Sequence, residues 1–374
     1  MCIIMSMRGR QEHQLEMLPA ISIDAQINRT LPPDHPLRCI RINAEEVLKK
    51  MSPDIDEMYS HTGRPSIAPE YLLKSLLWMA LFSIRSERQL IEQLQYNLLA
   101  KWFVGIPIDM LIWDATTFSK NRSELFEGRL ITLAQVFFQV HLTFLRENDL
   151  LSSEHLSVDG TLLNAWASQK SFVRKDELDE NGKPPPPPEG GRNGWVDFKG
   201  EKRSNDTHIS ATDPDARLAS KGGASRLCHE LHVISENRNN FAVAFLVTPP
   251  SGTSEREAAA VLVKSEIEAG RPPQTLGGDK NYSNGDTLAK QLMEMDVRPH
   301  FPARENQPNA IARQFHDDEG YDVSRCKRMR IEEIFGYIKK VCGLEKLKVR
   351  GTDRVTGVSA IALSGYNLII EANL

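Results

Sequence analysis

The sequence is poor in several features that would have fixed a function early. Its five cysteines, Cys2, Cys39, Cys228, Cys326 and Cys342, are scattered over 374 residues with no CxxC pair. That spacing excludes a disulfide framework and a structural zinc site, and it fits a reducing compartment. No His- and Cys-based cluster is present to select zinc. The richest apolar run near the N-terminus, YLLKSLLWMALF, is too short to span a bilayer and carries Lys74. With no signal peptide in view, a cytoplasmic protein that does not enter a membrane is expected. No P-loop is visible, so nucleotide hydrolysis is not expected to drive the chemistry. Net charge is modest, at -4 with a pI of about 6.2. That argues against a wholly basic nucleic-acid coat but leaves room for local basic surfaces. With 40% hydrophobic and 26% charged residues, the composition is that of an ordinary folded chain, long enough for two domains.

Periodicity divides the chain in two. Residues 1 to about 65 read as irregular, with LPPDHPLR as a break. Helical spacing follows: Leu72, Leu73, Leu76, Leu77 and Met79 after Pro69, then a helix from Ser86 with Gln89 completing a capping box. Gly105 and Pro107 close that run. The tight turn at 83–85 suits either a helix-turn-helix or a helical hairpin buried in a bundle. Residues 1–150 therefore read as an all-α N-terminal domain. From Leu156 onward strands alternate with helices, which predicts a mixed α/β catalytic domain over 151–374. LHVISEN and FAVAFLVTPP, separated by RNN, predict a hairpin. SGTSEREAAAVLVKSEIEAG predicts a helix with Ser254 and Glu257 as capping box and Gly270 at its end. RCKRMRIEEIFGYIKKVCGL predicts one helix with Ile331, Ile334, Phe335 and Ile338 on a single face. Between the first and second strands, about 165–227, lies a polar insertion whose run Pro184 to Pro188 predicts an extended, exposed segment.

Three carboxylates occupy informative places. Asp159, in LSVDGTLL, reads as the last residue of a strand, and Asp-Gly after an apolar run is equally a hairpin-turn signal. Asp279, in LGGDKNY, ends a second strand, and Glu332 sits on the late helix. Hard oxygen ligands at the open end of a mixed sheet suit Mg²⁺ or Mn²⁺. Two such ions roughly 3.5–4 Å apart clamp the attacking and leaving oxygens of an in-line phosphoryl displacement. Basic residues crowd Glu332, among them Arg325, Arg328 and Lys339. Arg328, Glu332 and Lys339, at offsets of four and seven, would share one face of a continuous helix and could hold phosphates. Trp166 suits either base stacking or a place in the core.

In these blocks the chain resembles the DDE transposases of bacterial insertion sequences. LSVDGTLLNAWASQKSF resembles the family's first-Asp block and LGGDKNY its second. RMRIEEIFGYIKK has the Arg, three residues, Glu, six residues, Lys spacing of the last. The helical segment from Tyr59 to Gly105 and the inserted EKRSNDTHISATDPDARL extend the likeness over most of the chain. Two positions depart from the pattern: Arg325 stands where the family has Tyr, and Asn281 where it often has Gly. The resemblance implies an RNase H-like catalytic domain in which Asp159, Asp279 and Glu332 converge as ligands of two Mg²⁺ or Mn²⁺ ions. It implies Arg325, Arg328, Lys339, Lys280 and Trp166 as DNA contacts. The implied partners are double-stranded DNA (terminal inverted repeats and target), bound by a homodimer that works on the nucleoid of a bacterial cytoplasm. Glycine at position 160 would then let the strand leave the metal face without obstruction. A nuclease of the same fold that cuts without joining, and an inert DNA-binding descendant, share most of these residues.

Overall fold

The computed structural model describes residues 22–53, 55, 67–126, 131–179, 203–220, 222–303 and 310–374. Helices come first: α1 (Ile23–Thr30), α2 (Pro36–Lys50), α3 (Pro69–Leu81), α4 (Glu87–Tyr96), α5 (Leu98–Val104), α6 (Ala115–Phe126) and α7 (Ile131–Glu147). The first two overturn the reading of an irregular N-terminal stretch. Proline in LPPDHPLR starts a helix here instead of breaking one, because Pro36 occupies the first turn, where its missing N–H costs nothing. His35 caps that turn, its Nδ1 accepting from Leu37 N at 3.1 Å. Leu37, Ile40, Ala44, Val47 and Leu48 then bury one face. The cap at Ser86 is present, with Oγ accepting from Gln89 N at 3.1 Å. Helix α3 is buried on nearly all sides, whereas α4 buries only Leu90 and Leu94.

The sheet follows, with β1 (His155–Asn164), β2 (Phe172–Arg174), β3 (His208–Ser210), β4 (Arg217–Ala219), β5 (Arg226–Glu236), β6 (Ala242–Thr248), β7 (Thr275–Gly277) and β8 (Arg298–His300). Between and after the later strands run α8 (Ser254–Glu268), α9 (Thr287–Glu294), α10 (Tyr321–Arg328), α11 (Ile331–Gly336), a π-helical turn (Tyr337–Val341) and α12 (Thr352–Ala372). Strands β6, β5 and β1 pair antiparallel, and β7 and β8 continue parallel to β1. The order β6-β5-β1-β7-β8, with α8 and α9 in the crossovers, is the RNase H-like topology. The predicted hairpin is β5–β6; its turn is held by buried Glu236, which accepts from Arg238 N and Asn239 N at 2.7 Å each.

Strand alternation sorts the two faces. Leu156 and Val158 of β1, with Ile234 of β5, face Ala259, Leu262 and Val263 of α8. Leu163 of β1, with Leu231 and Val233 of β5, faces α7, α11 and α12. Helix α12, left unassigned by the sequence reading, is the centre of the molecule: Ala360, Ile361 and Leu368 join the core of the N-terminal helices, and Val355, Leu363 and Tyr366 join that of the sheet. Its 21 apolar-rich residues are spent inside the protein, with 72% of the most apolar window buried.

The capping box at Ser254 is absent. The helix is preceded by Thr253, and Ser254 Oγ instead donates to buried Glu230 and to Ser251 O. Residues 180–194 of the proline-rich segment lie outside the described residues, so its expected exposure is not addressed. The flanks of the insertion are well packed. Strands β2 and β3 form a ribbon, and Phe172, Ala216 and Leu227 share a small core. Asp213, fully buried, accepts from His229 Nε2 at 3.0 Å and from Gly351 N at 3.1 Å, while Asp215 accepts from Thr352 N at 2.9 Å. The insertion thereby caps the first turn of α12 with acidic side chains, where the helix dipole favours them.

Candidate active site

Asp159 does not end its strand. β1 runs five residues further, to Asn164, and pairs with β5 throughout, with Asp159 opposite Val233. The turn reading of Asp-Gly therefore fails: with β5 on one side and β7 on the other, β1 is the central strand and continues as one. Asp159 is half-buried, and its Oδ1 accepts from Gly160 N at 2.7 Å. It shares a sheet face with Val233 and Leu231, the face covered by α11. Gly160 points to the other face, where an added Cβ would lie 3.1 Å from His232 Nδ1 and 3.3 Å from Glu255 Cγ. Its lack of a side chain makes room for that polar layer and does not clear an exit for the strand.

Asp279 lies two residues past β7, in the same relation to Gly277 as Asp159 to Ser157. Ser157 and Gly277 are register partners on parallel strands, so both chains leave that pair side by side and carry an aspartate two residues on. Neighbouring strands stand about 4.8 Å apart, which makes the two carboxylates adjacent. Asp279 Oδ1 accepts from Asn281 N at 2.7 Å, and Asn281 Nδ2 lies 3.4 Å from Oδ2. Asn281, the departure from the family pattern, thus helps to orient the second aspartate. Gly278 is required by packing: an added Cβ would meet Phe301 at 2.8 and 3.0 Å and Tyr282 at 3.0 Å. Both rings are fully buried, so Gly278→Ala should destabilise the protein by about 1–3 kcal/mol. A thermal melt checks this, and an unchanged midpoint would refute it.

The late helix is not continuous. α10 ends at Arg328, and α11 starts at Ile331 after Met329 and Arg330. At the break Glu332 N and Glu333 N bond to carbonyls three residues back, at 3.2 and 3.0 Å. The π-helical turn at Tyr337–Val341 then shifts the phase again. The single face expected for Arg328, Glu332 and Lys339 is therefore not a property of one α-helix. Ile331, Ile334, Phe335 and Ile338 are all buried, as their spacing predicts. This packing exposes both Glu332 and Glu333 but separates their surroundings. Glu333 Oε2 is 3.9 Å from Arg330 Nε and 3.4 Å from Asn240 Nδ2. Glu332 makes no hydrogen bond or ion pair among the described residues.

The basic residues bracket β1. Helix α10, carrying Arg328 and Arg325, packs on β1, β7 and β8. Arg328 is half-buried, and Arg325 is exposed, 3.5 Å from Asp322. Lys280 is exposed in the turn after Asp279. Lys339 lies near the far end of β1: burial pushes the Cys228 thiol up to about 11, against the pull of Arg226 and Lys339, and Cys228 pairs with Asn164. Trp166, just past that end, is 47% exposed, so the core reading is wrong for it. Tyr321 does not replace the tyrosine missing at 325, because it is buried against His300 and His316.

Sequence reasoning missed Glu230, Glu255 and Tyr282. Tyr282 is fully buried, and its hydroxyl has no hydrogen-bond partner among the described residues. Burial raises its pKa well above the ordinary value, and the charges of Asp159, Glu255, Asp279 and Glu230 add to the shift. The only signal in the sequence was its place at the end of LGGDKNY.

The donor set is oxygen-only and acidic, which suits a hard divalent cation and not zinc. The two aspartates are adjacent, and Glu332 is on a helix that covers Asp159's face. Among the described residues, however, no three His, Cys, Asp or Glu side chains form a group ready to hold an ion. Glu332 is not drawn in with the aspartates as expected.

Residues 25–124 match the family model of a transposase domain (DUF772), and residues 205–368 match that of the transposase DDE domain. The second match takes in Asp279 and Glu332 and begins after Asp159. No curated protein matches the sequence. Two solved structures resemble the fold at 10% identity. One is the piggyBac transposase synaptic complex with hairpin DNA, with TM-score 0.38, covering 90% of this chain and 75% of that one. The other is the Mos1 transposase paired-end complex with left transposon end, with TM-score 0.20 and coverage of 84% and 81%. Both superpositions are loose, and the topology rests on strand order and direction.

Proposed function

The chain belongs to the DDE transposases of bacterial insertion sequences, and from that premise we propose that Asp159, Asp279 and Glu332 are its catalytic carboxylates, serving two Mg²⁺ or Mn²⁺ ions. The enzyme is a DNA transposase with endonuclease and strand-transfer activity, and divalent-metal dependence goes with the DDE family. One observation carries the assignment: Asp159 and Asp279 leave a shared register pair on neighbouring parallel strands, with α11 over Asp159's face.

In this reading Asp159 and Asp279 present acceptor-only oxygens from the most rigid part of the sheet. Glu332, with no competing partner, swings in from α11 to complete the set. Bound ions would neutralise charge on the attacking and leaving oxygens of each in-line displacement. Arg328 on one side and Lys339 on the other hold the phosphates that flank the scissile bond. Lys280 and Arg325 extend that track, and Trp166 offers an exposed ring on which an unpaired end base stacks. First the strand at each element end is hydrolysed; the freed 3′-OH then attacks target DNA at the same carboxylates. Phosphate contacts position DNA but do not read sequence. We therefore assign end recognition, or the pairing of two protomers, to the N-terminal helices, with α4 the exposed candidate. The bacterial cytoplasm is where such an enzyme meets its substrate.

The full-length protein, a labelled terminal repeat taken from the flanking DNA, a target plasmid and Mg²⁺ test the reading together. Nicked ends and joined products are expected, and a chelator should abolish both. Nicks without joined products would make the protein a nuclease; binding without nicks would make it an inert descendant.

A further inference from the structure

We propose that the Tyr282 hydroxyl is a positioning donor for the Asp159–Asp279 carboxylate pair, acting through one bound water. The inference rests on the catalytic reading above and adds a residue to it.

The hydroxyl is in an expensive place for packing alone. Tyr282 is fully buried, and its oxygen has no hydrogen-bond partner among the described residues. A buried polar group left unmade costs on the order of 1–3 kcal/mol. Phenylalanine would fill the same space, since the ring's contacts are apolar: Phe301 at a centroid distance of 5.8 Å and the bare Cα of Gly278. Packing explains the ring and leaves the oxygen unexplained.

The ring is fixed to the second aspartate. Tyr282 N donates to Asp279 O at 3.2 Å, closing the turn whose first residue is that aspartate. Phe301 and Gly278 wedge the ring from both sides, so the turn that places Asp279 also places the hydroxyl. The charges that act on it are all carboxylates, Asp159 foremost, then Glu255, Asp279 and Glu230. Burial first, and then those anions, keep the phenol protonated. A protonated hydroxyl facing anions serves as a donor. It makes no direct bond to any of the four, so the link runs through water, for which a polar-walled site offering several partners is the usual requirement. Groups that orient metal-binding carboxylates from behind are typically worth 10–100-fold in metal affinity.

Tyr282→Phe removes one oxygen and keeps the ring. Without metal, its melting temperature should equal or slightly exceed that of the wild type, because an unpaired buried hydroxyl is gone. The half-saturating Mn²⁺ concentration should rise about tenfold. It is to be measured by paramagnetic resonance of free Mn²⁺ in titrations of the protein, and independently from the metal dependence of nicking. Nicking at saturating Mn²⁺ should stay within about threefold of wild type, because the ligands themselves are intact. An unchanged half-saturation would overturn the proposal. So would a metal-free melting point several degrees lower, which would make the hydroxyl a structural anchor. Asp159→Asn in the same titrations separates the two levels. If it nicks like the wild type, the catalytic reading fails; if it is dead while Tyr282→Phe titrates normally, only the role of Tyr282 fails.

Discussion

Asp159→Asn should lower Mg²⁺-dependent nicking of a labelled element end by at least roughly a hundredfold, the scale of losing one electrostatic contact in an active site. The substitution keeps the shape of the side chain and its Oδ1 acceptor, so the 2.7 Å bond from Gly160 N can persist and β1 keeps its register. What is lost is one negative charge beside Asp279, where two dications would have to be neutralised. Affinity for the element ends should hold, because Arg and Lys contacts to phosphates dominate it. Gel-shift and nicking assays on one preparation check both halves. Wild-type nicking by a well-folded Asp159→Asn protein would remove Asp159 from the site.

The sequence carried the order of the elements further than their ends. The strand-helix alternation after Leu156 and the β5–β6 hairpin were legible because apolar periodicity and turn residues agree there. The limits of β1 were not. Asp-Gly is the same dipeptide in a turn and in a central strand, and only pairing with β5 and β7 decides between them. Helix α2 was hidden by the prolines before it, which begin helices as readily as they end them. The late helix was legible in its buried face and illegible in its continuity, because the break after Arg328 and the π-helical turn leave no mark in a hydrophobic pattern. Of the site, the two aspartates were readable from their blocks. Tyr282 and Glu230 were not, since their meaning depends on burial that a single sequence does not report. Asp213 and His229 are the same kind of case: a buried pair 16 residues apart that ties the insertion to the start of α12.

Glu332→Gln should reduce nicking as Asp159→Asn does, by at least roughly a hundredfold, whereas Glu333→Gln should leave it within about threefold of wild type. The two residues are neighbours, and about 100° of helix rotation separates their side chains. Ile331, Ile334 and Phe335 pin α11 to the sheet face that carries Asp159, so that rotation is not free to vary. It turns Glu333 toward Arg330 and Asn240, at 3.9 and 3.4 Å, where it has a structural use. Gln at that position can still accept from Asn240, and the Arg330 pair is exposed enough to contribute about 0–1 kcal/mol. Glu332 has no such tie, and the substitution removes only its charge. Its Arg328 and Lys339 spacing cannot be invoked on helical phase, because two irregular turns intervene; the surroundings of each glutamate make the choice instead. Nicking of a labelled terminal repeat by both variants, with melting curves to exclude misfolding, decides the register. A dead Glu333→Gln beside an active Glu332→Gln would mean that α11 turns by one residue when DNA and metal are bound, and that Glu333 is the third carboxylate.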